Sequence, residues 1–156
     1  MSDDDGKVNR GAESRLSAET LHASTVAIGG RAVLISGPSG SGKSDLALRL
    51  LDRGFTLVSD DQTLVRRDGD RLIASPPPTI AGKLEIRGIG IVEMDHLGEA
   101  PVALLVELTS DIQRLPDDSR ERPVLGIALP LVSIDAMTAS AASKVVLALD
   151  RLGLKP

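Results

Sequence analysis

The run "VLISGPSGSGKSDLALRL", from Val33 to Leu50, limits the possible folds more than any other stretch of the chain. An apolar segment rich in β-branched residues passes into a loop with glycines at Gly37, Gly40 and Gly42. Beyond the loop, Leu46 and Leu50, and Ala47 and Leu51, recur at helical spacing, and Gly54 stands where a helix-ending glycine belongs. Within this run, "GPSGSGKS" fits the pattern G-x-x-x-x-G-K-[ST] from Gly37 to Ser44. Glycines allow backbone angles that turn successive N–H groups toward one point, which makes a nest for an anion. The helix start adds unpaired N–H groups and its dipole. Residues Gly37, Pro38, Ser39, Gly40, Ser41, Gly42, Lys43 and Ser44 therefore form the expected nucleotide-binding loop. In such a loop the lysine reaches the outer phosphates and the final hydroxyl can ligate Mg²⁺. The motif alone does not separate kinases, ATPases and GTPases.

The surrounding pattern predicts an α/β fold, a mixed β-sheet flanked by helices. Residues 1–18 are polar and aperiodic and read as a disordered tail, and residues 19–156 read as a single phosphate-loop domain. "TLHASTVAI" (20–28) reads as one strand, and "RAVLIS" and "FTLVS" as two more on either side of the helix. "TLVRRDGDRLIAS" is two apolar arms around Asp68-Gly69, a hairpin signal, and Pro76 to Pro78 end it. "LEIRGIGIVEM" alternates before a glycine-spaced stretch, and "VALLVEL" and "GIALPLVSI" are further strands, the second weakened by Pro130. "TSDIQRLPDDSRERP" reads as a polar loop, and a closing helix starts near Ser140.

Composition removes several functional classes. There is no cysteine, hence no disulfide framework and no thiolate metal site, and two histidines are too few for a histidine-rich centre. The formal net charge is −4, which offers no electrostatic reason to bind nucleic acid. Phe55 is the sole aromatic residue, so a base has almost nothing to stack on, and a nucleotide would be held mainly by its phosphates. No run of 18 apolar residues and no basic n-region occur, so neither a membrane span nor a signal peptide is expected, and the cytoplasm is the default location.

Asp60-Asp61 closes the strand after the helix. If strand, helix and strand form a βαβ unit, both strands end on the same sheet edge, and the acidic pair neighbours the glycine-rich loop. One carboxylate can then order a metal shell while the other takes a proton from an attacking hydroxyl. A solvated turn or helix cap would use the same residues. Glu85, an acid in an alternating strand, faces either solvent or a cleft, and His22 is either a functional group or an ordinary strand histidine.

"GPSGSGKS", "RGFTLVSDD" and "EIRGIGI", in this order and spacing, resemble the catalytic domain of HPr kinase/phosphorylase over roughly residues 20–134. That resemblance implies a phosphate-loop nucleotide-binding fold like that of HPr kinase and phosphoenolpyruvate carboxykinase. It implies an enzyme that uses ATP and Mg²⁺ to phosphorylate a serine of the phosphocarrier HPr, within regulation of the sugar phosphotransferase system. The family also removes that phosphate by attack of inorganic phosphate, releasing pyrophosphate. Carried over, Lys43 would bind phosphate, and Ser44 and Glu85 would hold Mg²⁺. Asp61 would be the general base with Asp60 beside it in the catalytic group, and His22 would match the family's upstream histidine, although Ala23 stands where a glycine usually follows. Arg114 in "QRLP" would answer to an active-site arginine. The family forms hexamers, so a homo-oligomer is a further implication. Typical members carry an N-terminal domain that is not found here.

Where the family has an arginine-rich C-terminal loop tied to phosphorolysis, this chain reads "DAMTASAASKVV", without arginine. Kinase activity is therefore expected more firmly than the reverse reaction. Two rival readings are a small-metabolite kinase, for which "QRLPDDSRER" is the single candidate lid, and a non-catalytic nucleotide sensor.

Overall fold

The structure, a computed structural model, describes residues 17–112 and 120–156. The strands are β1 (Ala18–Leu21), β2 (Ala23–Ile28), β3 (Arg31–Ser36), β4 (Thr56–Ser59), β5 (Thr63–Asp68), β6 (Arg71–Ser75), β7 (Lys83–Ile86), β8 (Gly90–Glu93), β9 (Ala100–Leu108), β10 (Glu121–Val124) and β11 (Ile127–Ile134). The helices are α1 (Lys43–Leu51) and α2 (Ala141–Leu152), with a 3₁₀ turn at Pro78–Ile80. β1 opens at Ala18, inside the segment expected as a tail, whose residues 1–16 lie outside the described residues.

β9 organises the main sheet. Its sequence "APVALLVEL" is apolar on both faces, as a strand covered on both sides must be. One edge pairs with β3 in parallel. The other edge is shared: Ala100 and Pro101 meet β6 antiparallel, and Leu105 to Leu108 meet β11 in parallel. Two partners along one edge make the mixed sheet curl, with strand order β1-β5-β6-β9-β3-β2-β4 and the β10–β11 hairpin attached to β9. Alternation then sorts the core. Val33, Ile35, Leu104 and Val106 face α1 and α2. Ala32, Leu34, Val102 and Leu105 face the opposite way, under Val65 and Leu72 of the β5–β6 hairpin and Leu129 of β11. Phe55 belongs to the helix-side core and is 6% exposed.

Three expectations need correction. β3, α1 and β4 do not form a simple βαβ unit, because β2 lies between the strands, antiparallel to both. β3 and β4 remain parallel and end on one edge, where the start of β2 joins them: Ala23 stands opposite Ser36, and Thr25 opposite Ser59. The strand expected over 20–28 breaks at His22, because β1 pairs with β5 while β2 pairs with β3 and β4. The polar segment before β11 contains β10, folded back through Leu125 (φ 51) and Gly126 (φ 82). Both central residues of that two-residue loop are left-handed, which matches the right-handed twist of a hairpin.

The Asp68-Gly69 hairpin forms as expected, with Asp68 opposite Arg71. β7 and β8 make a separate two-stranded sheet, with Ile86 opposite Gly90. At Pro130 the neighbour of β11 changes, from β10 up to that residue to β9 from Leu131 on. Among the described residues no helix is long and apolar enough to cross a membrane.

Candidate functional site

The glycine-rich loop leaves the C-terminal end of β3 and enters α1. Gly42 is the helix N-cap in a left-handed conformation (φ 102), and no side chain caps the amides that follow. The first helical bond runs from Leu46 N to Gly42 O, so the amides of Lys43, Ser44 and Asp45 have no helical acceptor. A Cβ at Gly42 would be strained by that φ and would lie 3.0 Å from Ala136 Cβ. At Gly37 a Cβ would stand 2.6 Å from Ser41 Oγ, a buried hydroxyl without a partner. Lys43 folds back over the loop: its ammonium donates to Gly37 O (2.9 Å) and Pro38 O (3.2 Å) while its side chain is 5% exposed.

Asp60 and Asp61 sit at the end of β4 on the same edge. Asp60 is 7% exposed, and both its oxygens are engaged. Oδ1 accepts from Ser44 Oγ (2.6 Å) and Ser24 Oγ (2.9 Å), and Oδ2 accepts from the backbone N–H of Glu85 (3.1 Å). One carboxylate thus joins α1, β2 and β7. Asp61 is its opposite, with a side chain 59% exposed. Its Oδ1 lies 2.8 Å from His22 Nε2 and 3.9 Å from Lys43 Nζ. Its backbone is left-handed (φ 67), and Gln62 N donates to Asp60 O across it (2.7 Å).

These groups border a cavity of about 990 Å³. Lys43, Ser44, Asp60, Asp61 and Glu85 line it together with Ser39, Gly40 and Gly42. Gly37, Pro38 and Ser41 form the body of the loop, and His22 reaches the cavity through Asp61. Arg114 lies outside the described residues.

Sequence reasoning missed five contributors. Ser24, one of two adjacent hydroxyl residues in β2, gave no signal. Arg87, on the loop between β7 and β8, is the second cation of the lining, although it stood in plain view within "EIRGIGI". Ala136 and Met137 supply a wall. Arg49 pins that wall to α1 by donating to Ala136 O (2.5 Å) and Thr138 O (3.3 Å). The rim carries exposed apolar side chains, Ile89 (75%) and Met137 (86%).

A hydroxyl and carboxylates around one mouth form a donor set for a hard cation such as Mg²⁺. No three His, Cys, Asp or Glu side chains gather into a metal cage among the described residues. Mg²⁺ does not require one, since it keeps waters and shares phosphate oxygens.

A second charged cluster stands at the C-terminal end of β9, where Glu107 lies opposite Ser36 at the start of the glycine-rich loop. Arg122 Nη2 donates to Glu107 Oε2 (2.9 Å), and Arg120 Nη1 donates to Ser133 Oγ (2.8 Å). The hydrogen bond from Arg122, with the charge of both arginines and against some desolvation, holds the Glu107 carboxyl below its ordinary range.

Comparison with known proteins agrees with this architecture. Residues 14–150 match the family model described as HPr Serine kinase C-terminal domain. The HPr kinase/phosphorylase of Clostridium botulinum (strain Eklund 17B) is 35% identical over 77% of this chain and 44% of the relative. That of Limosilactobacillus reuteri (strain DSM 20016) is 37% identical over 77% of this chain and 42% of the relative. The chain therefore spans less than half the length of these curated relatives. The solved Hpr(Ser) kinase/phosphatase from Coxiella burnetii superposes with a TM-score of 0.74 at 28% identity, covering 85% of this chain and 94% of that one.

Proposed function

This chain belongs to the family of HPr serine kinase C-terminal domains, and on that premise we propose that it transfers a phosphoryl group from ATP to a serine of an HPr-like phosphocarrier protein. The observation that carries the reading is the 3.9 Å separation of the open Asp61 carboxylate from the Lys43 ammonium at the loop. A base must stand beside the phosphoryl group whose acceptor it deprotonates, and this spacing supports that arrangement.

In this reading the glycine-rich loop is a phosphate loop of the type shared with phosphoenolpyruvate carboxykinase. Its amides and Lys43 hold the nucleotide phosphates. Ser44 and Glu85 would hold Mg²⁺, with Asp60 fixing the Ser44 hydroxyl at 2.6 Å. When bound, the metal neutralises the phosphate oxygens. Asp61 takes the proton of the acceptor hydroxyl and becomes a neutral carboxyl, while His22, 2.8 Å away, orients it. Phe55 is buried in the core, so no aromatic ring is available to stack on the base, which supports weak discrimination between ATP and GTP. The exposed Ile89 and Met137 on the rim suit a protein acceptor, which would cover them, better than a small metabolite. A cytoplasmic location and assembly from several copies belong to the same reading.

Labelled ATP and a purified HPr-like carrier test it. The wild type is expected to label a serine, with Asp61→Asn slower by about 10²–10⁴-fold, the range for loss of a general base, and Lys43→Ala equally impaired. Labelling of small hydroxy compounds but not the carrier, or nucleotide binding without turnover, would overturn the proposal.

A further inference from the structure

We infer that Ser24 is a positioning residue that sets the geometry of both acidic side chains, a role that rests on the kinase reading above. The Ser24 hydroxyl is fully buried in β2, beside the buried Thr25, whose own hydroxyl meets Thr63. It performs two tasks at once: Oγ donates to Asp60 Oδ1 at 2.9 Å and accepts the N–H of Asp61 at 3.0 Å. Among uncharged side chains of this size, only a hydroxyl both gives and takes a hydrogen bond here.

The second contact matters because of the backbone it holds. Asp61 is the apex of a three-residue turn closed by Gln62 N to Asp60 O, with φ 67. A γ-turn of this positive-φ hand is rare and strained, and persists only where its surroundings over-determine it. Ser24 holds the Asp61 amide from one side, and the Ser59 hydroxyl donates to Gln62 O on the other. His22, two residues before Ser24, engages the Asp61 carboxylate itself. His22 at the break before β2 and Ser24 within it thus grip Asp61 by its side chain and by its amide. Without the Ser24 bond the turn can relax to negative φ, which swings the carboxylate away from Lys43 and His22. Asp60 at the same time loses one of the two donors that fix Oδ1 beside Ser44.

The test compares Ser24→Ala and Ser24→Thr with wild type in two assays. In transfer from ATP to an HPr-like carrier at saturating Mg²⁺, Ser24→Ala is expected to lower kcat by about 10²-fold, the usual effect of displacing a reacting group by about 1 Å. KM for ATP should stay within about threefold, because the loop and Lys43 are untouched. Ser24→Thr, which keeps the hydroxyl, should restore kcat. Amide hydrogen exchange at Asp61 provides a readout that needs no activity: protected in wild type and Ser24→Thr, fast in Ser24→Ala, with the core strands still protected. A kcat for Ser24→Ala near wild type would overturn the inference. So would parallel losses of stability and activity in both variants, or an Asp61 amide as protected in Ser24→Ala as in wild type. If wild type labels no carrier, the kinase reading fails, while the exchange result still decides whether Ser24 holds the turn.

Discussion

Asp60 and Asp61 are adjacent residues with opposite circumstances, and the difference assigns their work. A carboxylate that already accepts three hydrogen bonds from Ser44, Ser24 and the Glu85 amide has little capacity left to receive a proton from substrate. It is suited to holding other groups still. Asp60→Ala would strand the Glu85 N–H and two hydroxyls, and a loss of about 1–3 kcal/mol in unfolding free energy is expected from such unsatisfied groups; urea titration measures it. Asp61 lends itself to a different experiment, because its φ of 67 disfavours any side chain with a Cβ. In a helix or strand, alanine is the more stable replacement, but here Asp61→Gly should exceed Asp61→Ala by about 1 kcal/mol, since only glycine enters the left-handed region without penalty. Equal stabilities in thermal melts would mean that the turn is not strained. Both variants should lose transfer, as expected where strain is kept for function.

At the level of elements, the β9–β10–β11 end of the sheet carries a pH dependence of its own. The Glu107 carboxyl is lowered by Arg122, so its folded pKa lies below the unfolded value. It stabilises the fold at pH above that unfolded value, near 4.5, and the contribution disappears as pH falls through the lower folded value. The side chain is 34% exposed, so solvent screening keeps the effect modest. Melts of wild type and Glu107→Gln from pH 7 to pH 3 should show the wild type ahead at neutral pH and the two curves converging in acid. Other features of the elements divide by how local their determinants are. The β3–loop–α1 unit and the Asp68-Gly69 hairpin were legible because each is encoded within a few consecutive residues. The insertion of β2 between β3 and β4 was not, because choice of strand partner depends on distant segments. That missed insertion also hid the role of the β2 start, so His22 could be assigned to the catalytic group only by resemblance and Ser24 not at all. β10 escaped because its turn is Leu125-Gly126 rather than a recognisable Asn-Gly or Asp-Gly pair.

On the scale of the whole molecule, the distribution of charge around the cavity bears on the direction of reaction. Among the described residues, Asp45, Asp60, Asp61 and Glu85 line it against two cations, Lys43 and Arg87. A nucleotide carrying Mg²⁺ tolerates such a wall, because the metal cancels much of the phosphate charge. Free inorganic phosphate beside a phosphoserine has no such partner and needs cations from the protein. The third side of the cavity, Ala136 and Met137, offers none, and the nearby guanidinium of Arg49 is committed to the carbonyls of Ala136 and Thr138 and to Asp45. Phosphorolysis of a phosphoserine carrier, the second activity in the relatives' name, is therefore expected to be much slower here than phosphorylation, with pyrophosphate release as the measure. The cause can be tested by supplying what is missing. Met137 is 86% exposed on that wall, so Met137→Arg adds a guanidinium without disturbing the core. Pyrophosphate release should rise severalfold and phosphate saturate at lower concentration, with the gain fading at high salt as a surface charge effect must. Forward transfer should stay within about threefold, since Lys43 and Asp61 are unchanged. If wild type already releases pyrophosphate as fast as it consumes ATP, cations at the Ala136–Met137 wall are not what phosphorolysis requires.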